Sequence, residues 1–288
     1  MRKKVGNRYE VIEEIGQGGN AFIYKAFDTY LKRYMALKIL KAKSATTELR
    51  THFLHEQQIM AGLQHSNIVQ VFDCSDPQKQ VPYYVMQYIE GQSLQTLATT
   101  QKLPESVLVA LISEIAAALA HAHSKNIGHG DLKPANVLIN NDGRVVLIDF
   151  NNAQPNNTNS IEVNTSAHDS SLIGTLDYLA PEQIRNKETN LSSDIFALGC
   201  VAYCAATGVS PFAHDDEVEI MRKILDGEYR PLSELRYDLS AVFTTLVTGC
   251  LQLECEKRFN ALQVMHICEQ WLCAHGTTAF RVLNKFLS

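Results

Sequence analysis

The sequence predicts an α+β protein in two parts, a small strand-rich portion followed by a larger helix-rich one. Two observations carry this. Apolar residues alternate in short runs through the first ninety or so positions, and beyond "EGQS" they recur at helical spacing. A third concerns size: 288 residues with 45% hydrophobic content can bury one sizeable core or two closely packed halves.

The strands come first. "RYEVIEEIG" and "AFIYKAFD" flank a glycine-rich turn, "RYMALKIL" is a third run, and "NIVQVFDC" and "PYYVMQYI" are two more. One helix interrupts them, roughly Thr47 to Leu63, with Phe53, Ile59, Met60 and Leu63 as its apolar residues. The helical portion opens with "PESVLVALISEIAAALAHAHSKN", where Pro104 and Glu105 suit a first turn. Further helices are expected at 192–207, 215–226, 239–252 and 261–272. The run Ile195 to Val209 is shorter than a membrane span and follows Asp194 directly, so it reads as a helix buried on all sides. Between these parts, "NNAQPNNTNSIEVNTSAHDSS" is a long polar loop of the kind that is functional or disordered. No internal repeat is visible.

Charge and cysteine usage narrow the class. A formal charge of −5 gives no sign of a nucleic-acid or anionic-membrane binder, and "MRKK" is too short to change that. The N-terminus lacks an apolar core of signal-peptide length, no anchor or appended sensor domain is apparent, and a cytoplasmic location is expected. Seven cysteines occur without a CxxC pair or a histidine-completed ligand set, which argues against zinc and for buried, reduced thiols.

Four elements carry chemistry. "IGQGGNAFIY" places Gly16 and Gly18 in a GxGxxG-like turn whose third position is Ala21, and glycine lets such a backbone bring its N–H groups close to phosphates. Because the turn lies between strands, a dinucleotide-binding motif, which needs a following helix, is disfavoured. "MALK" puts Ala36 and Lys38 on one face of a strand. Glu56, in "HFLHEQQIM", lies mid-helix where it could pair with Lys38. Finally, "HGDLKPANVLI" and "VVLIDF" supply Asp131, Lys133, Asn136 and Asp149: a carboxylate base, a compact cation and two oxygen donors suited to magnesium. Phosphoryl transfer spreads negative charge over oxygens, so its catalysis is mainly positioning and neutralisation, which this set can provide.

These motifs resemble the protein kinase family, specifically eukaryotic-type (Hanks-type) serine/threonine kinases and their bacterial relatives. The resemblance runs from about residue 9 to 271. It extends to "LQHSNIV", "YYVMQYIEG", "GTLDYLAPEQI", "SSDIFALGC", "TGVSPF" and "CEKRFNA". It implies the two-lobed protein kinase fold, with an N-lobe over 1–86, a hinge at 87–92 and a C-lobe over 93–288. It also implies ATP and Mg2+ as cofactors and a protein substrate with a Ser or Thr acceptor; separately, with no sensor domain apparent, input is expected through a regulatory protein or through the long loop. By the resemblance, Lys38 holds the α- and β-phosphates and Glu56 holds Lys38. Asp131 orients the substrate hydroxyl and accepts its proton, Lys133 stabilises the moving γ-phosphoryl group, and Asn136 and Asp149 bind magnesium. Gly16, Gln17, Gly18 and Gly19 cover the phosphates. Ile15, Ile23, Ala36 and Leu138 sandwich adenine, Met86 is the gatekeeper, and the backbone of Gln87 and Ile89 pairs with the adenine edge. Glu182 pairs with Arg258, and Asp194 caps the catalytic-loop backbone.

Two departures bear on activity. Gly130 stands where the family usually has Arg, and Asn151 where it has Gly. An HGD loop is also found in aminoglycoside and choline kinases, but those usually lack a lysine like Lys133 and the "GTxxYxAPE" platform; Thr175 and Lys133 point to a Ser/Thr protein kinase. A nucleotide-binding pseudokinase is the other alternative, although Lys38, Asp131, Asn136 and Asp149 are all present, and Asn is the residue besides glycine that best tolerates left-handed geometry. Without the Arg at 130, activation should depend less on phosphorylation of the loop, which offers Thr158, Ser160, Thr165, Ser166, Ser170 and Ser171 for autophosphorylation. Ala135 and Cys204 occupy positions where basophilic members often carry acids, which weakly disfavours a basic consensus.

Overall fold

The computed structural model describes residues 4–42, 46–76, 81–150, 176–186 and 189–287. Asn151, Thr175 and the six loop hydroxyls lie outside the described residues. The chain divides into two compact units, Met1–Glu90 and Gly91–Ser288.

The first unit is built on a six-stranded antiparallel sheet. Its strands are β1 (Lys4–Val5), β2 (Tyr9–Gln17), β3 (Ala21–Asp28), β4 (Arg33–Leu40), β5 (Val71–Cys74) and β6 (Tyr83–Gln87), in the order β1-β2-β3-β4-β6-β5. Side chains alternate across a strand, so β4 presents two unlike faces. Met35 and Leu37 enter a core with Tyr9, Ala26 and Val85. Ala36 and Lys38 take the other face, where directly opposed residues must also lie. The register sets Ile23 and Tyr84 opposite Lys38, and Lys25 and Met86 opposite Ala36. Irregularities in β2 between Val11 and Glu13 and between Glu14 and Gly16 shift its pairing just before the glycine-rich turn.

Helix α1 (Thr47–Gly62) starts where the Thr46 hydroxyl accepts the Leu49 N–H, with Glu48 in the first turn. It buries Phe53, Glu56, Gln57 and Met60, positions that share one face at helical spacing.

The second unit is helical around a short three-stranded sheet of β7 (Gly91–Ser93), β8 (Val137–Asn140) and β9 (Val145–Leu147). Its helices are α2 (Leu94–Thr100), α3 (Glu105–Ser124), α4 (Pro181–Asn186), α5 (Leu191–Thr207), α6 (Glu217–Asp226), α7 (Leu232–Leu235), α8 (Ala241–Cys250), α9 (Ala261–Ala274) and α10 (Ala279–Leu287). Among the described residues α3 alone is long and apolar enough to cross a membrane, and most of its length is buried against α5, α9, α10 and β9. Helix α5 is buried almost throughout, as its apolar run predicts; Asn190 and Ser193 form a capping box at its start and Gly208, at φ +84°, ends it.

All seven cysteines are free thiols. Cys200, Cys204, Cys250 and Cys268 are buried as expected, but Cys74 and Cys273 are exposed. Cys74 sits on the outermost strand and Cys273 at an exposed position of α9.

Candidate active site

In the first unit, Lys38 Nζ donates to Glu56 Oε1 at 2.7 Å, and the Tyr84 hydroxyl donates to the same oxygen at 2.8 Å. Both charged side chains are more than nine-tenths buried. A buried charge must be paired and hydrogen-bonded to persist, and this one is. Ile23, Ala36 and Met86 share the sheet face that carries Lys38.

The glycine-rich turn is closed by its own backbone. The Gly18 N–H donates to Ala21 O at 3.0 Å, Lys41 Nζ donates to Gly18 O at 2.7 Å, and the Lys41 N–H donates to Asn20 O at 2.8 Å. The Gly18 amide is therefore engaged within the turn rather than presented outward. Among the described residues beyond its chain neighbours, a methyl group placed on Gly18 would come no nearer than 3.9 Å, to Ala21 O, and one on Gly19 would have no neighbour within 4 Å. Packing among the described residues does not demand glycine here, whereas close approach of an external group to the backbone would. Ile15 is exposed, at the irregularity of β2 between Glu14 and Gly16.

In the second unit the loop between α3 and β8 is clamped by one carboxylate. Asp194 accepts the His129 N–H at 2.8 Å, the Gly130 N–H at 2.9 Å and the His123 ring Nε2 at 2.8 Å. Gly130 takes φ +74°, so its glycine suits the bend that aims both amides at Asp194. Burial pushes the Asp194 carboxyl upward, but the hydrogen bond from His123, the nearby histidines and the Gly130 amide outweigh it and hold it below the usual range. His129 is fully buried against the Phe150 ring, 4.4 Å between centroids. Its Nε2–H donates to Ile148 O at 3.1 Å, while its Nδ1 accepts the Asp131 N–H. Those contacts need the neutral ring, and burial lowers its basicity accordingly.

Asp131, Lys133 and Asn136 converge. Lys133 Nζ lies 3.0 Å from Asp131 Oδ2. Asn136 Nδ2 donates to Asp131 O at 2.8 Å and to Asp131 Oδ2 at 3.1 Å. Both partners are acceptors, so the amide must present its nitrogen to Asp131 and its oxygen elsewhere. The Ile148 N–H donates to Asn136 O at 3.0 Å, which ties the start of β8 to the end of β9. Asp149 follows at φ +58°, a left-handed conformation rare for a residue other than glycine. Such backbone outliers concentrate at functional sites. Leu138 is half-buried on the face of β8 opposite the buried Val137 and Ile139.

The amide oxygen of Asn136 and the carboxylate of Asp149 are hard oxygen donors of the type magnesium prefers. Among the described residues no three or more His, Cys, Asp or Glu are grouped to hold a metal by themselves. A cation held by one amide and one carboxylate, with phosphate and water completing its shell, fits that donor set.

A family model described as the protein kinase domain matches residues 9–272. This chain belongs to the protein kinase family. Curated relatives of this kinase domain include a probable serine/threonine-protein kinase of Clostridium perfringens, 32% identical over 90% of the chain and 37% of the relative. The serine/threonine-protein kinase PrkC of Bacillus subtilis is 36% identical over 78% of the chain and 34% of the relative. The probable serine/threonine-protein kinase PknB of Corynebacterium glutamicum is 36% identical over 82% of the chain and 37% of the relative. The chain thus spans little more than a third of the length of these relatives.

Away from the catalytic loop, Arg258 forms a two-pronged pair with Glu182 in this kinase domain, both contacts at 2.8 Å, and also donates to the carbonyls of Ser192, Gln252 and Leu253. The Ser193 hydroxyl adds a third bond to Glu182. Burial raises the Glu182 carboxyl, yet Arg258 and Ser193 together bring it below its ordinary range.

Sequence reasoning did not anticipate Tyr84 on Glu56, His123 on Asp194 or Lys41 on Gly18. Tyr84 had a usable signal, since it lies two residues before Met86 and therefore on the same strand face. The others had none.

Proposed function

We propose that this chain is an ATP- and Mg2+-dependent protein kinase that transfers the γ-phosphoryl group to Ser or Thr hydroxyls of proteins, itself included. The observation that carries this reading is the convergence of Lys133 and Asn136 on the Asp131 carboxylate. In this reading the acceptor hydroxyl gives its proton to Asp131 as its oxygen bonds to the γ-phosphorus, while the bond from that phosphorus to the β-phosphate oxygen breaks and ADP leaves. Lys133 neutralises charge on the group in transit. Lys38, fixed by Glu56 and Tyr84, holds the α- and β-phosphates. Asn136 and Asp149 hold magnesium, which when bound neutralises charge on the phosphate oxygens. Ile15, Ile23, Ala36, Met86 and Leu138 supply apolar surface for adenine. The Gln87 N–H donates to Gln70 O, so an adenine contact from Gln87 falls to its carbonyl.

Lys133 favours this reading over a small-molecule kinase, as do the protein kinases among the curated relatives. The test is transfer of labelled γ-phosphate to a generic acceptor protein, with Asp131→Asn alongside. Transfer by the wild type and its loss in the variant support the kinase. Equal absence of transfer in both overturns it in favour of a nucleotide-binding pseudokinase.

A further inference from the structure

Helix α10 lies beyond the stretch matched by the family model, which ends at residue 272. It packs along α3 with Ala279 and Leu283 buried, and it also meets the turn between β8 and β9. Asn284 Nδ2 donates to Asp142 O at 3.0 Å. Gly143, at φ +79°, approaches the helix so closely that a Cβ would stand 2.6 Å from Asn284 N and 2.7 Å from Leu283 C. Backbone meets backbone here, so neither side can yield by rotating a side chain.

The turn is stiff. Asn140 Oδ1 accepts the N–H groups of Asp142 and Arg144, and Asn140 and Arg144 also bond through their backbones. The strands it joins are four and three residues long, so the hairpin reaches only about 13 Å at the usual rise per residue. One strand begins directly after Asn136, and the other ends two residues before Asp149. The Ile148 N–H to Asn136 O bond closes the base. A displacement at the turn is therefore felt at both residues.

We infer that α10 is a positioning strut, acting through Asn284 and Gly143 on the β8–β9 hairpin, that fixes the spacing of Asn136 and Asp149 for their divalent cation. The inference rests on the cation-holding role of those two residues given above. Asn284 touches no reacting group; it acts through the hairpin.

The test uses Asn284→Asp, which removes the donor at constant size, Gly143→Ala, a chain lacking residues 277–288, and Gly143→Ala in that shortened chain. Arg281→Ala, exposed on the same helix, is the control. Two readouts are taken, neither requiring catalysis: hydrogen exchange of amides 137–147 without nucleotide, and the Mg2+ concentration giving half the thermal shift produced by saturating ADP. Asn284→Asp and the truncation should speed hairpin exchange and raise the half-saturating Mg2+ by about threefold or more, the size typical of coupling carried through packed elements. Arg281→Ala should do neither. Gly143→Ala should do more harm in the full chain than in the shortened one, where only its backbone strain remains. Unchanged exchange in Asn284→Asp overturns the strut. So does faster exchange with unchanged Mg2+ dependence, which would leave the contact a stabilising one only. If the truncated chain does not fold, Asn284→Asp and Gly143→Ala decide the matter. Absence of phosphoryl transfer by the wild type bears on the kinase reading alone, since both readouts remain measurable.

Discussion

Lys38 and Glu56 form an ion pair at 2.7 Å that joins β4 to α1 within the first unit, with the Tyr84 hydroxyl sharing the same carboxylate oxygen. Truncating one member of a buried pair removes the ion-pair partner of a charge shielded from solvent. Glu56→Ala is expected to cost roughly 3–5 kcal/mol of unfolding free energy in urea titrations. Tyr84→Phe removes one hydrogen bond and should cost about 1 kcal/mol. The Lys38→Met, Glu56→Ala double variant should lose less than the sum of the single changes, because both remove the same ion pair. Additive losses would show that the pair is not coupled.

Glu182 and Arg258 give a second buried pair, with a pH signature. The Glu182 carboxyl is lower in the folded chain than in the unfolded one. Its stabilising contribution is thus complete above the ordinary glutamate range, near pH 4.3, and declines as pH falls through the folded value. Arg258→Met should lower stability at neutral pH by roughly 3–5 kcal/mol. Glu182→Gln should flatten the acid limb of a plot of stability against pH. An acid limb identical to that of the wild type would remove Glu182 as its source.

The parts of the fold and site that could be read in the sequence are those encoded by short spacing. Ala36 and Lys38 two residues apart, Asp131, Lys133 and Asn136 within six, and the apolar periods of α3 and α5 each follow from local geometry. Glu182 with Arg258 and the Asp194 clamp followed only from the family resemblance, and the structure places both. Contacts between distant positions left no such trace: His123 with Asp194 is 71 residues apart and Asn284 with Asp142 is 142. Helices α2, α4, α7 and α10 escaped because each has at most nine residues, too few for a helical period to stand out. The engaged Gly18 amide was hidden for another reason: a glycine motif names a permissive backbone but not its hydrogen bonds.

His129 predicts a second pH effect, of opposite chemistry. Burial lowers its pKa in the folded chain, so between that value and about 6.5 the unfolded chain binds the extra proton. Stability from this group is level above about pH 6.5 and falls below it. Protonation would also set a proton on Nδ1 against the Asp131 N–H, which that nitrogen now accepts. Unfolding free energies at pH 7.5, 6.5 and 5.5 should drop more steeply for the wild type than for His129→Asn. Equal slopes would remove His129 as a source of the acid sensitivity.

Gly130 yields the last prediction. Its φ of +74° is set by the demand that the His129 and Gly130 amides both reach the Asp194 carboxylate. A side chain at this position must adopt the left-handed region, at a cost of roughly 1–2 kcal/mol. Gly130→Ala and Gly130→Arg should therefore destabilise the chain by similar amounts in urea titrations. Only Arg adds a guanidinium able to pair with a phosphate on the loop, a charge-assisted contact that orders such segments. Replacing Thr158, Ser160, Thr165, Ser166, Ser170 and Ser171 with Ala should leave the wild type substantially active. In the Gly130→Arg background the same six changes should lower activity, since the new Arg then has no phosphate to pair with. A loss of roughly a hundredfold or more in the Gly130 chain would instead show that loop phosphorylation drives activation without that Arg.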